Sequence, residues 1–315
     1  MNVKVRLITG WVAVGLIALT ACFWALWGTI ENFHEGWWYP NLFERVFVMF
    51  IQYLSPPITI ILIGIIAIRW PKIGGGVLLV ISAWFIWKFI VPKLPEMNTK
   101  AILSWFPAAW LPVLVGILFL FGRPHPKKWA YLVVAGVPLL VSIICAVEPI
   151  YRISGRIDDG IREERLVEGN GVKLFWAPAG PGWARSAGQA CSWEEAHRRC
   201  QFLTEDGKTL ADTPQNIWRL PTVDEAVRSM ARHGQNCGGR WDPEKKWAAY
   251  DVRPDKESPL WDTHSGIIYW WTKTEVDEAN SFIIVYHGGV YPRKKRLRMG
   301  SLGFRAVRCV GPSEK

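Results

Sequence analysis

The chain has 315 residues, half of them hydrophobic (50%) and only 20% charged, with a formal net charge of +10. That balance excludes disordered, collagen-like and small disulfide-stapled classes. The first 147 residues hold eleven Lys and Arg against four Glu, and the remainder is close to neutral. The positive charge therefore does not describe a nucleic-acid-binding surface, and no nucleic-acid partner is expected.

Taken from the N-terminus, residues 7–29, 46–68, 73–92, 101–122 and 129–147 are each apolar enough to cross a hydrocarbon core of about 30 Å. The lipid bilayer is thus the first expected partner, and residues 1–147 read as a five-span helical bundle. Pro56, Pro57, Pro107, Pro112 and Pro138 interrupt the runs, which membrane helices tolerate when packed neighbours satisfy the freed backbone. Lys4 and Arg6 precede the first span, Arg69 and Lys72 fill the second loop, and Arg123, Lys127 and Lys128 fill the fourth. Glu31, Glu35, Glu44 and Glu96 lie in the alternate loops beside Arg45, Lys93 and Lys100. Because Lys and Arg resist translocation, this predicts a cytoplasmic N-terminus and a C-terminal domain outside the cytoplasm of a bacterial inner membrane. Trp37, Trp38 and Tyr39 would form an outer interfacial belt. Leu19-Thr20-Ala21-Cys22 fits a lipoprotein cleavage site, but Phe23 to Trp27 continue the apolar run as in an uncleaved anchor. With no His and no mid-depth Asp, Glu or Arg in the spans, the bundle reads as an anchor or assembly surface rather than an ion pathway.

Residues 148–166 are charged and lack periodic apolar positions, which predicts a tether, and a folded domain follows over 167–315. Asn170-Gly171 marks a turn before a strand at Val172 to Trp176. Ser192 caps a helix carrying Trp193, Ala196, Cys200 and Leu203 on one face, and Thr222 opens a second that runs to about His233-Gly234. Short aromatic strands follow, so the domain is α+β. Cys191, Cys200, Cys237 and Cys309 fall in it, without metal-site spacing, and an oxidising compartment predicts two disulfides among them.

Tyr291, Arg293, Lys294, Lys295, Arg296 and Arg298 form a basic run that reads as a hairpin tip and an anion-binding patch. Trp241, Trp247, Trp261, Tyr286 and Tyr291 are candidate stacking platforms for sugars, though such rings also fill cores. His197, His233, His264 and His287 stand singly, and neither a nucleophile motif nor a phosphate loop is present. No catalytic residue, cofactor or metal is expected.

Trp193-Glu194-Glu195-Ala196, Cys200, Trp218-Arg219-Leu220-Pro221-Thr222-Val223-Asp224-Glu225, Tyr269-Trp270-Trp271-Thr272 and Gly303-Phe304-Arg305-Ala306-Val307-Arg308-Cys309 occur in an order that resembles the formylglycine-generating enzyme (sulfatase-modifying factor) family. It resembles equally the bacterial domain named after the C-terminal part of a collagen-like adhesin. The resemblance covers about residues 167–312 and implies a C-type-lectin-like fold. It also implies a Cys200–Cys309 bridge, with Cys191 and Cys237 as the second pair. The copper-holding cysteine pair of those enzymes has no counterpart in Tyr291 to Arg298, and Ile267 and Trp270 stand where the family's calcium element has Asn and Glu. Oxidase activity is therefore not expected. The leading expectation is a non-catalytic interaction domain, an accessory or assembly subunit that docks a protein partner in a membrane complex. The alternatives are an envelope receptor or sensor for a glycan or other anionic ligand and, last, a diverged enzyme of the formylglycine-generating type.

Overall fold

The structure, a computed structural model, describes residues 2–183 and 190–310, so the last five residues of the expected domain and residues 184–189 lie outside the described residues. Two compact units form. One combines Met1–His34 with Phe43–Tyr151, and the other combines Glu35–Leu42 with Arg152–Lys315.

In the first unit α1 (Val3–Glu31) is followed by α2 (Leu42–Val48), α3 (Ser55–Arg69), α4 (Pro71–Phe85), α5 (Thr99–Ser104), α6 (Leu111–Phe121), α7 (Lys127–Tyr131) and α8 (Val137–Ser154). Short π- and 3-10 turns prolong several of them. Three helical stretches among the described residues are long and apolar enough to cross a membrane: Val3–Glu35, Pro71–Pro95 and Lys127–Ser154. Three of the five expected spans are thus present as long apolar helices. The second expected span is a pair, Leu42–Tyr53 and Ser55–Arg69, bent by 59°, and counts as a fourth only if taken as one broken span. The bend falls where Pro56 and Pro57 lack N–H donors, so α3 starts afresh instead of continuing α2. In the fourth expected span the regular apolar helix is limited to Ala108–Phe121, which at 1.5 Å per residue is short of a hydrocarbon core of about 30 Å.

Helices of this unit touch through small residues. A Cβ on Gly75 would lie 2.7 Å from the carbonyl oxygen of Gly116, so α4 and α6 meet backbone to backbone. Val14, Ile17, Ala67, Val115, Phe119 and Val134 fill the seam between helices.

The second unit is strand-rich. Its elements are β1 (Arg165–Gly169), β2 (Val172–Trp176), α9 (Trp193–Phe202), α10 (Val223–Ser229), β3 (Ala231–Arg232), β4 (Gln235–Asn236), β5 (Arg240–Asp242), β6 (Trp247–Ala249), β7 (Tyr269–Glu275), β8 (Asn280–Val285), β9 (Val290–Lys294), β10 (Leu302–Gly303) and β11 (Val307–Cys309). They make small sheets, β1-β2-β11, β10-β7-β8-β9, and the hairpins β3-β4 and β5-β6. Strand β11 pairs antiparallel with β2, joining the end of the unit to its first strands.

Both helix starts follow from capping chemistry. The Ser192 hydroxyl accepts from the Glu195 N–H at 3.2 Å, and Thr222 and Glu225 form a reciprocal capping box. Arg219 grips the Glu225 carboxylate through two N–H donors at 2.7 and 2.6 Å, which fixes the Arg-Leu-Pro-Thr stretch as the entry to α10. The second helix ends sooner than expected: α10 stops at Ser229, and His233 and Gly234, both at positive φ, form the β3-β4 turn instead.

The core is tryptophan-rich. Trp261 stacks on Trp270 at 3.6 Å between ring centres, and Trp176, Trp270 and Trp271 are completely buried. Ile267 and Trp270 are core side chains.

Candidate functional site

The β5-β6 hairpin turns at Asp242, whose carboxylate accepts the N–H groups of Glu244 and Lys245, both at 3.0 Å, and Lys246 sits at φ +52°. That turn presents Trp247, which is 68% exposed. Opposite lies the β8-β9 turn, Tyr286 to Gly289. Gly288 adopts φ +85°, and a Cβ there would stand 2.5 Å from the Tyr250 ring. The Tyr250 hydroxyl donates to the Gly288 carbonyl at 3.0 Å, and burial pushes its acidity down so that it remains a phenol donor. A Cβ on Gly289 would come within 2.8 Å of both His287 and Tyr291. The two glycines thus keep open the floor of a cleft of 270 Å³, walled by Trp247, Tyr250, Tyr291, Arg253 and His287. Its size is near the lower bound of about 300 Å³ for small-ligand clefts. Among the described residues no carboxylate pairs with the exposed Arg253, which leaves a cation beside three aromatic rings.

The basic run is divided by the structure. Tyr291, on β9, is a cleft wall, and the Arg293 guanidinium lies 5.8 Å from its ring centre. Lys294 and Arg296 are exposed. Lys295 is not part of a surface patch: it is buried, its ammonium binds the Glu275 carboxylate and stands 4.7 Å over the Trp193 ring. Arg298 is exposed but ion-paired with Glu195 at 2.8 Å. Of the candidate platforms, Trp261 and Tyr286 are core and Trp241 packs edge-on against Phe282, so Trp247 and Tyr291 remain. Tyr250, Arg253, His287 and the two glycines were missed as parts of a site. The Gly-Gly pair was the readable signal, since two consecutive glycines in a hairpin turn ask for close approach by something else.

The cysteines require a correction. All four are free thiols, and neither Cys200–Cys309 nor Cys191–Cys237 is bridged. Cys191 and Cys200 share one buried cluster, Cys237 belongs to the other, and Cys309 is exposed beside Arg219, whose guanidinium reaches its sulfur at 3.8 Å. Burial pushes the Cys191 and Cys237 thiols up to about 12. Alkylation of the native, detergent-solubilised chain is expected to modify Cys309 and to spare Cys191, Cys200 and Cys237 until denaturation, with no gain on adding reductant. Peptide mapping that finds a linked pair would overturn this.

Residues 148–166 also differ from the tether expected. Helix α8 continues to Ser154, and the segment beyond it is bound by charge to Asp255-Lys256-Glu257-Ser258, four consecutive polar residues that are all buried. Asp255 receives Arg156 at 2.8 Å, Arg232 at 2.8 Å and Arg152 at 3.3 Å. The Ile157 N–H donates to Glu257 at 3.0 Å, and the Ser258 hydroxyl and Asp159 carboxylate meet at 2.9 Å. Further along, Arg162 joins Asp158 and Asp262 at 2.8 and 2.9 Å. Burial disfavours the Asp158 charge, but the hydrogen bonds from Arg162 and Thr263 outweigh it and bring the carboxyl to about 2. Burial, helped by Arg156, pushes Lys256 down to about 7, and its ammonium is held by the Ser265 carbonyl. Every member of this cluster is committed to a partner within the unit, so it builds the unit rather than offering a seat for a ligand.

Among the described residues no three His, Cys, Asp or Glu side chains gather as metal ligands. No family model, curated protein or solved structure matches the chain.

Proposed function

We propose that this is an integral membrane protein whose C-terminal unit is a non-catalytic, C-type-lectin-like recognition domain, displayed outside the cytoplasm and seating an acidic, sugar-like ligand in the Trp247–Tyr250–Tyr291 cleft. The observation that carries the reading is the cleft itself, lined by an indole 68% exposed, by Tyr291 and by an Arg253 that no carboxylate among the described residues pairs. Aromatic faces suit the apolar side of a sugar ring, and a guanidinium suits a carboxylate or phosphate on it. The cleft is preferred to the basic run as a partner-docking patch because Lys295 and Arg298 are already spent on Glu275 and Glu195.

The orientation is supported by where the basic loops gather. The Arg123 N–H donates to the Arg6 carbonyl at 2.9 Å, and the Lys127 ammonium reaches the Arg69 carbonyl at 3.5 Å. The chain start, the α3–α4 corner and the α6–α7 corner therefore lie at one end of the bundle, which is the end that resists translocation. Two returns to that end before α7 fit five passes, the second bent and the fourth completed by irregular turns.

The test is a binding isotherm of the full chain in mild detergent against acidic and neutral oligosaccharides of bacterial envelopes. Acidic members are expected to bind, with Trp247→Ala and Tyr291→Ala each weakening binding about tenfold or more and Arg253→Gln erasing the preference for acidic over neutral. A chain that binds none of them and instead leaves the membrane in stoichiometric complex with another protein would replace this reading with that of an assembly subunit.

A further inference from the structure

The one end of the membrane unit that collects basic loops also holds a recess of 360 Å³, lined by Arg69, Trp70, Lys72, Arg123, Pro124 and Lys127 together with flanking apolar side chains. We infer that this recess binds the phosphate headgroup of an anionic membrane lipid, a site independent of the cleft proposed above.

The argument begins with charge. Four cations share one small hollow, and no carboxylate lines it. Among the described residues none of the four is paired with an acid. The Lys127 ammonium rests on the Arg69 carbonyl at 3.5 Å, a neutral partner. Like charges brought together without a counterion repel, and a chain keeps such a cluster at a membrane surface where an anion neutralises it. The N-terminal end of α4 opens on the same hollow and adds the positive end of a 15-residue helix.

The walls are built rather than fluid. The 122–126 corner is bonded to α1 by the Arg123 N–H on the Arg6 carbonyl at 2.9 Å and by the Trp11 indole N–H on the His125 carbonyl at 3.1 Å. A Cβ on Gly10 would fall 2.4 Å from the Pro124 nitrogen, so helix and corner are in direct backbone contact. Arg123 is thereby held across from Arg69, which lies 5.7 Å over the Trp70 ring.

The surroundings choose a lipid over a soluble anion. Trp70 is 54% exposed and Ile73, in the recess wall, is 58% exposed. Val77 and Val80 extend that exposed apolar stripe along α4 at helical spacing, giving acyl chains a track that leads away from the cations. Cations, indole and apolar stripe correspond to headgroup, interface and hydrocarbon of a bilayer.

Native mass spectrometry of the intact chain, with lipid titrated into the detergent, tests this. Phosphatidylglycerol is expected to be retained about tenfold more strongly than a glucosyl diacylglycerol without phosphate, and millimolar inorganic phosphate is expected to compete with it. Arg69→Gln/Arg123→Gln is expected to weaken retention about thirtyfold. Lys4→Gln/Lys128→Gln, which removes the same charge outside the recess, is expected to change it less than about threefold. Equal retention of the two lipids by the native chain overturns the site whatever the variants do. Equal loss from both variant pairs overturns it in favour of diffuse surface attraction, and saturation by inorganic phosphate with no contribution from the acyl chains overturns the lipid as its source.

Discussion

Arg305→Leu is expected to destabilise the C-terminal unit by about 3–5 kcal/mol. The guanidinium is 1% exposed, and its hydrogen bonds among the described residues go to carbonyls rather than to a carboxylate. Its Nε donates to the Ala177 carbonyl at 2.8 Å, and its Nη1 donates to the carbonyls of Pro259 and Leu260. Above it the Trp183 ring centre is 3.9 Å away, with Trp176 and Trp270 at 6.0 and 5.9 Å. Burial pushes its basicity down, yet a guanidinium does not surrender its proton in a protein, so the carbonyls and ring faces must carry the charge. A leucine fills part of the volume and leaves the Pro259 and Leu260 carbonyl oxygens without these donors, at about 1–3 kcal/mol each before relaxation, while the Ala177 carbonyl keeps the Trp183 indole N–H at 3.3 Å. Arg305→Lys restores the charge but not the planar fork that reaches Ala177 and Leu260 from opposite sides, and is expected to recover less than half. In thermal unfolding of the solubilised chain, followed by tryptophan fluorescence, Arg305→Leu should lower the midpoint by about 10 °C. A midpoint within about 2 °C of the native chain would show that the cage does not hold the unit together.

That residue also shows what the sequence makes readable. Gly303-Phe304-Arg305 could be picked out as a short motif at the closing strand, and its place beside β2 follows from the β11–β2 pairing. The cage could not be read, because its parts come from residues 176–183, 259–260 and 270, and nothing local in a linear string marks them as neighbours. The helix starts at Ser192 and Thr222 were legible, since a cap acts within four residues. So were the apolar stretches of the first unit, whose signal is composition alone. The bend at Leu54 and the shortened helix after Pro107 were not, because a proline only permits a break and the packing around it decides the angle.

Charge misled in a consistent direction. The run Arg293 to Arg298 reads as a solvated tip, but the β9 alternation and the turn after it carry Lys295 inward to Glu275 and Trp193, 20 and about a hundred residues away in sequence. Residues 148–166 read as a tether for the same reason. Their arginines find Asp255 and Asp262 roughly a hundred positions later, and a charge with a distant partner looks the same on paper as a charge in water. The cleft was half legible. Trp247 and Tyr291 stood out as aromatics, whereas the floor depends on Tyr250 crossing to Gly288.

The largest electrostatic effect is expected at Asp255. Three arginines, Arg152, Arg156 and Arg232, converge on a carboxylate with no solvent exposure, and Asp255→Asn removes that counterion from all three, leaving Arg232 with Glu257 at 3.8 Å. Breaking a buried ion cluster from one side costs about 3–5 kcal/mol, more than the loss of any exposed pair in this unit. The pH dependence has a definite sign. Burial disfavours the Asp255 charge, but the field of Arg156 and the hydrogen bond from it outweigh burial and hold the carboxyl below its ordinary value. A carboxyl with a depressed value in the folded chain contributes its full stability above the unfolded value of about 4, and loses it as pH falls through the folded value. The amide that replaces it in the variant does not titrate. The contribution of the Asp255 charge to the difference in stability between native chain and variant should therefore be constant above about pH 5 and shrink below about pH 4. Asp158 titrates in both proteins and to first order cancels in that difference, whereas the Asp255 charge supports the Lys256 ammonium, so its loss pushes Lys256 further down and widens the gap as pH falls through neutrality, before Asp255 itself titrates. Denaturant unfolding of the two full chains across this range measures it directly. A gap that fails to shrink below about pH 4 would mean that the cost of Asp255→Asn comes from lost packing and not from its charge.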